Sequence, residues 1–222
     1  MSGFDFALIV EYLPDFWRGA RATIFYSLTS LGLAVAIGLV MALCRMSQFV
    51  LLRLMARGYI DAIRGTPALI QIFFVYFGLP MFGLNLSAPT AAVIALGINS
   101  GGYLAEIFRA GIMGVDSGQT EAGRSLGMSY GKTMWRITLP QAALLVVPPA
   151  AGEFTNLVKG TSLLSTISVS ELTRVAQQIV GVTFRPIEAY VAIGVVYYCL
   201  NAIIAQGAVW LERWLRKSQG LE

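Results

Sequence analysis

Glu153 is an ionisable residue in an otherwise apolar stretch. A carboxylate within a membrane span costs roughly 2.5–3.5 kcal/mol on insertion scales, so it should face protein or a water-filled path. It follows Pro148-Pro149 and Gly152, which are expected to interrupt a helix. Asn156 and Gly160 come three and seven positions on, along the same helical face. A carboxylate beside an amide suits an ammonium or another cationic group; the alternative is a structural ion pair with Lys159 or a helix-end arginine. Broken spans are where transporters commonly place their ligands. Three further residues have binding chemistry. Asn99, beside Ser100-Gly101-Gly102, can contact a ligand or bond across helices. Thr66-Pro67, after Arg64, breaks the start of the second span, with Thr66 a candidate contact, and Ser162 stands close after Lys159. Gln71 reads as a helix–helix hydrogen bond. Glu106 and Arg109, three apart, read as a structural or gating pair.

Other chemistries are missing. The 222 residues contain no histidine, which removes histidine-based metal and acid–base chemistry. There is no nucleophile elbow and no paired intramembrane aspartate, so a membrane enzyme lacks its equipment. No metal site or bound cofactor is expected. Cys44 and Cys199 each lie in an apolar run and read as free packing residues. Gly127-Met-Ser-Tyr-Gly131-Lys132-Thr133 looks like a phosphate-binding loop but is one residue short: the pattern needs glycine at 126, where Leu126 stands. The chain therefore shows no nucleotide site of its own.

The elements that position these residues are membrane spans. Hydrophobic residues make up 56% and charged residues 13%, with mean hydropathy +0.69; soluble domains carry about 25% charge. Residues 22–44 and 189–211 are uncharged, and each is long enough to cross a bilayer. The uncharged run 65–105 is too long for one span, and Pro80, Gly83 and Pro89 divide it. Residues 137–152 give a weaker fourth segment. The expectation is an all-α membrane protein of about five spans, near 20–45, 62–81, 88–111, 137–157 and 187–212. The whole chain, 1–222, reads as one transmembrane domain. Gly97 and Gly101 form a close-packing pair.

Orientation follows from the basic residues. With the N-terminus outside, the inner segments hold Arg45, Arg53, Arg57, Arg64, Arg109, Arg124, Lys132, Arg136, Arg213, Arg216 and Lys217. The outside holds Arg18, Arg21, Lys159, Arg174 and Arg185. This bias favours a cytoplasmic C-terminus. The basic residues form no stripe, so the net charge of +4 is no sign of nucleic acid. Asp5, Glu11 and Asp15 stand where a signal peptide needs a basic region; Phe4, Phe6, Ile9, Tyr12, Phe16 and Trp17 fit an amphipathic helix on the outer interface. Asn85-Leu86-Ser87 matches a glycosylation sequon by spacing alone. Residues 163–181 are amphipathic and too polar to span, which suits an outer gate or an interfacial helix.

The inner loop at about 113–136 has its own signals. Ser117 can cap a short helix, Gly127 can end it, and Ser129 can cap the next. Ala122 and Leu126 share a face, with Glu121 and Arg124 offset from it. A short capped helix with a small apolar face suits insertion into a partner's groove; an amphipathic connector on the lipid surface is the alternative.

This loop resembles the EAA loop of ABC importer permeases. The matching residues are Glu121-Ala122, Gly127 six positions after the glutamate, and then Ile137, Leu139 and Pro140. The departure is Gly123, where the family usually has a second alanine. RGTPALIQIFFVYFGLP (64–80), INSGGYLAEIFRAGI (98–112) and PPAAGEFTNLVKGTSLLS (148–165) resemble the polar amino acid branch of these permeases. The similarity covers roughly residues 15–215. Gly160 departs from it, since the family usually reads Lys-Asp-Thr-Ser where this chain has Lys159-Gly160-Thr161-Ser162.

The resemblance implies a type I importer permease fold in the cell inner membrane. The chain would form half of a path for a polar amino acid, with Glu153, Asn99, Thr66, Asn156 and Ser162 as substrate contacts. It implies four kinds of partner: a dimer of separate ATPase subunits that bind the ATP, a second permease subunit, identical or related, an external amino acid-binding protein, and membrane lipid. Glu121, Ala122, Gly123, Leu126 and Gly127 would dock the ATPase. A channel or a structural membrane protein would not need that loop.

Overall fold

Asp5 starts the first helix: its carboxylate accepts a hydrogen bond from the Ala7 N–H at 3.0 Å, capping α1 (Phe6–Glu11). Tyr12 then breaks the helix, and α2 (Leu13–Met46) begins with Pro14 in its first turn. The computed structural model describes residues 4–218, and all regular structure among them is helical. The break at Tyr12 changes the face expected of an N-terminal amphipathic helix. Leu8 and Phe16 are buried against later helices, while Phe6 and Trp17 point outward. The first span is therefore the predicted one extended towards the N-terminus. Its 34 residues reach roughly 51 Å at 1.5 Å each.

The second apolar segment is bent rather than straight. It comprises α3 (Val50–Gly65), α4 (Ala68–Phe73), a π-helical turn (Phe74–Gly78) and a 3₁₀ turn (Leu79–Phe82). The axis turns by 111° at Gly65-Thr66-Pro67. Pro67 lacks an N–H, and its ring drives Thr66 into extended geometry, φ −124°. The predicted span 62–81 straddles this bend. The split expected at 80–89 is present: Gly83 takes φ +83°, and Ser87 caps α5 (Ala88–Met113) by accepting from the Thr90 N–H. Ser87 of the sequon is thus part of a helix cap.

The chain continues through α6 (Ser117–Ser125), α7 (Tyr130–Thr133) and a second π-helical turn (Met134–Thr138) into α8 (Leu139–Gly160). A 3₁₀ turn (Thr161–Ile167), α9 (Leu172–Thr183) and α10 (Pro186–Ser218) complete it. Among the described residues three helices, α2, α5 and α10, are long and apolar enough to cross a membrane, and the bent segment Val50–Phe82 is so only when its two arms are taken together. The fifth expected span, α8, falls below that apolarity because Gln141, Glu153 and Asn156 dilute it. It is still 22 residues long and packs against α5 and α10.

The tightest packing joins α2 to α5. Thr23, Ser27, Ser30, Ala34, Gly38 and Ala42 are buried on α2, spaced four or three apart so that they form one seam. Gly97 and Gly101 of α5 face Leu33 and Ile37 of α2, as the predicted close-packing pair requires. A Cβ added at Gly38 would lie 2.8 Å from the Leu104 Cβ and 3.3 Å from the Gly101 carbonyl oxygen. A Cβ at Gly32 would meet nothing within 4 Å. Gly38→Val is therefore expected to cost about 1–3 kcal/mol through overpacking, and Gly32→Val little. Thermal unfolding of the detergent-purified protein checks this, and an equal fall in both variants would remove the seam as the cause.

Candidate functional site

Glu153 lines a cavity of about 750 Å³ between the end of α3, α5 and α8, together with Arg64, Tyr103, Glu106, Pro149 and Asn156. Only 8% of Glu153 is exposed. The side chains of Ser100, from α5, and Asn156, one turn along α8, stand beside its carboxyl group. The Arg64 guanidinium lies over the Tyr103 ring, 5.8 Å from its centroid. Glu106 and Arg109 make the expected pair at 2.7 Å. The cavity thus combines carboxylates, an amide, an aromatic hydroxyl and one guanidinium. That set can hold a small zwitterion or cation through charge-assisted hydrogen bonds.

Two expectations about Glu153 change. The helix is not interrupted before it: α8 runs through Pro148 and Pro149. Proline holds φ near the helical value, and contacts hold the turn before the pair in place. A Cβ at Gly111 of α5 would come within 2.3 Å of Val146, so the two helices nearly touch there. The proline-made break in this protein is at residues 65–67. Nor is Glu153 in an ion pair with Lys159. No salt bridge of Glu153 occurs among the described residues, and Lys159 is exposed. The side chains beside the carboxyl group, Ser100 and Asn156, are neutral.

Asn99 and Thr66 are elsewhere. The Asn99 amide donates to Gln71 Oε1 at 3.0 Å. Gln71 Nε2 in turn donates to the Ile63 carbonyl at 2.9 Å and to Thr66 Oγ1 at 2.9 Å. The Thr66 hydroxyl donates to the Ala62 carbonyl at 2.8 Å. Together these three side chains stitch the 111° bend and tie it to α5, where the proline leaves backbone carbonyls without helical partners. Gln71 is the interhelical bond expected of it. The Ser162 hydroxyl donates to the Lys159 carbonyl at 2.7 Å, at the exit of α8. Of the five proposed contacts, only Glu153 and Asn156 line the same cavity. Ser100, Arg64 and Tyr103 were not singled out as contacts; a small polar residue in an Asn-Ser-Gly-Gly run is the one signal the sequence offers for Ser100.

No sequence signal marks Glu171 either. It is fully buried and caps α9, accepting from the Thr173 and Arg174 N–H groups at 2.9 and 2.7 Å. The Tyr197 hydroxyl of α10 also donates to it, at 2.9 Å. Around it, Leu164, Ile167, Leu172, Ala176 and Ile179 are buried in two apolar clusters. The 161–183 segment is therefore packed into the protein rather than resting on a lipid surface.

At the other end, Asp116 rather than Ser117 caps α6: its Oδ1 accepts from the Gly118 N–H at 2.7 Å. The extended ψ of 129° at Asp116 is the geometry a cap needs. Gly127 ends the element at φ +80°, and Ser129 caps α7, as expected. Glu121, Ala122 and Gly127 are exposed, and Leu126 is 83% exposed. Gly123 points inward: a Cβ there would meet Ile137 Cδ1 at 2.9 Å and Thr133 Cγ2 at 3.0 Å. The outward surface is thus a short helix tipped by a bare leucine, seated on the chain through a glycine.

Residues 34–217 match the family described as binding-protein-dependent transport system inner membrane component. A probable amino-acid ABC transporter permease protein, YckA, of Bacillus subtilis is 40% identical over 91% of this chain and 89% of its own length. The glutamine transport system permease protein GlnP of Escherichia coli is 35% identical, covering 96% of this chain and 98% of its own. A crystal structure of an amino acid ABC transporter with histidines contains a chain of the same fold: TM-score 0.89 at 40% identity, covering 96% of this chain and 99% of that one.

Proposed function

This chain belongs to the family of binding-protein-dependent transport system inner membrane components, and on that premise we propose that it is the membrane half-path of an ATP-driven importer for a polar amino acid. It is a multi-pass inner-membrane permease, a transport component rather than an enzyme. The observation that carries the finer reading is the cavity at Glu153, where a buried carboxyl group in no salt bridge among the described residues lines an open space large enough for a small ligand. Two such subunits, the same or related, line the path. An external binding protein delivers the amino acid. A pair of separate ATPase subunits, which bind the ATP, grips the loops at 117–138 and rocks the halves to expose the cavity alternately. The chain works as one transmembrane unit.

Orientation follows from how the ends are built. The N-terminal end of α2 packs with α9 and the start of α10, and its last residues meet the 117–138 loop. Arg45, Arg109 and Arg124 gather at that loop, a basic cluster that supports a cytoplasmic side for it. A reporter inserted near Asn85 is expected outside and one fused after Gln219, a residue beyond those described, inside. A periplasmic C-terminus would overturn the orientation.

For coupling, Gly127→Asp adds a carboxylate and a Cβ at φ +80°. It is expected to abolish substrate-stimulated ATP hydrolysis while membrane insertion is kept. Normal stimulation would count against docking through this loop.

For the substrate, Glu153→Gln keeps the shape and removes the charge. Uptake is expected to fall most for cationic amino acids, since a charge-assisted bond is roughly twice as strong as a neutral one. Complex yield should hold, because the carboxyl group has no basic partner to strand. Uptake and yield are measured on one sample. Unchanged uptake removes Glu153 from the site, and lost yield makes it structural.

A further inference from the structure

We propose that the second cavity, about 660 Å³ between the ends of α2 and α5 and the 117–138 loop, binds the headgroup of an anionic phospholipid. Arg45, Arg109 and Arg124 line it, with Glu121 as the opposing charge. Arg109 is already paired with Glu106. Arg45 and Arg124 form no salt bridge among the described residues. Two guanidiniums are therefore left for an anion, in the fork geometry that matches phosphate oxygens.

The rest of the lining says which anion. Met46 and Met113 border the arginines, and the Tyr130 ring reaches the same space. The last turns of α2 expose Leu39, Val40 and Leu43 by 47, 53 and 55%. An apolar strip on a spanning helix thus continues at Met46, seven residues after Leu39 on the same face and at the border of the cavity. A free phosphate would use the arginines and leave the strip idle. A phospholipid uses both, with its phosphate on the guanidiniums and its acyl chains along α2. Basic pockets at the cytoplasmic ends of spanning helices hold acidic headgroups in this way. Glu121 and Arg124 belong to α6, so an occupied cavity braces that short helix against the spans. The proposal rests on the membrane placement of the chain and is independent of its substrate.

The test is lipid retention. The full chain, in the assembly in which it purifies, is placed in phosphatidylcholine nanodiscs titrated with phosphatidylglycerol, and bound lipid is read by native mass spectrometry. Arg45→Gln is expected to weaken retention about fivefold, the factor that corresponds to roughly 1 kcal/mol per basic residue at an anionic surface. Arg45→Lys should keep most of it. Arg53→Gln, on the exposed face of α3 and outside the cavity, should retain lipid as the wild type does. Arg124→Gln serves as a second cavity variant should Arg45→Gln unfold in phosphatidylcholine alone. Equal weakening by Arg53→Gln means diffuse attraction and overturns the site, as does unchanged retention in both cavity variants. Inorganic phosphate is the third arm. Displacement of the lipid by millimolar phosphate would make this a free-phosphate site and overturn the lipid assignment.

Discussion

The close approach of α2 and α5 is the contact on which the rest of the molecule hangs. In lipid, water does not drive helices together, so association depends on how near their surfaces can come. The α2 seam of small residues, with Gly97 and Gly101 opposite, allows that nearness. α5 then serves two more neighbours. Its Asn99 donates to Gln71 of the bent segment, and α8 lies against it at Ser100 and at Gly111. Were α5 to move by the width of a methyl group, the bend and the cavity would both lose a wall.

A second constraint is the cost of placing a carboxyl group in the membrane region. The buried glutamates meet it in different ways. Glu171 is saturated by two backbone N–H groups and a tyrosine hydroxyl, so it is fixed and closed. Glu188 is paired with Arg185. Glu153 has no salt bridge among the described residues and an open cavity beside it. The same residue type is a rivet in one place and the wall of a cavity in another.

Much of this was legible beforehand. Charge-free runs located α2 and α10, and Pro80, Gly83 and Pro89 located the turn before α5. Gly127 declared its positive φ through residue type alone. What could not be read depends on tertiary partners. Pro148-Pro149 looks like a break, yet α5 and α10 hold the helix through it. Thr66-Pro67 declares a break, but not that the bend there takes up the hydrogen bonds of Asn99 and Thr66. Glu171 lies in a polar stretch that gives no hint of its complete burial. That Glu153 and Asn156 line one cavity follows from helical spacing, which puts them on one face.

Ile137, the seat of Gly123, and Glu153 stand on a single rod. The glycine seats α6 on Ile137, and from Leu139 the helix runs unbroken to Glu153. Each residue of an α-helix advances the phase by about 100°. The length of this stretch is therefore a gauge: one residue added or removed between them would swing the carboxyl group out of the cavity while every side chain stayed the same. Over evolutionary time such a rod tolerates substitution along its length far better than a change in its count of residues.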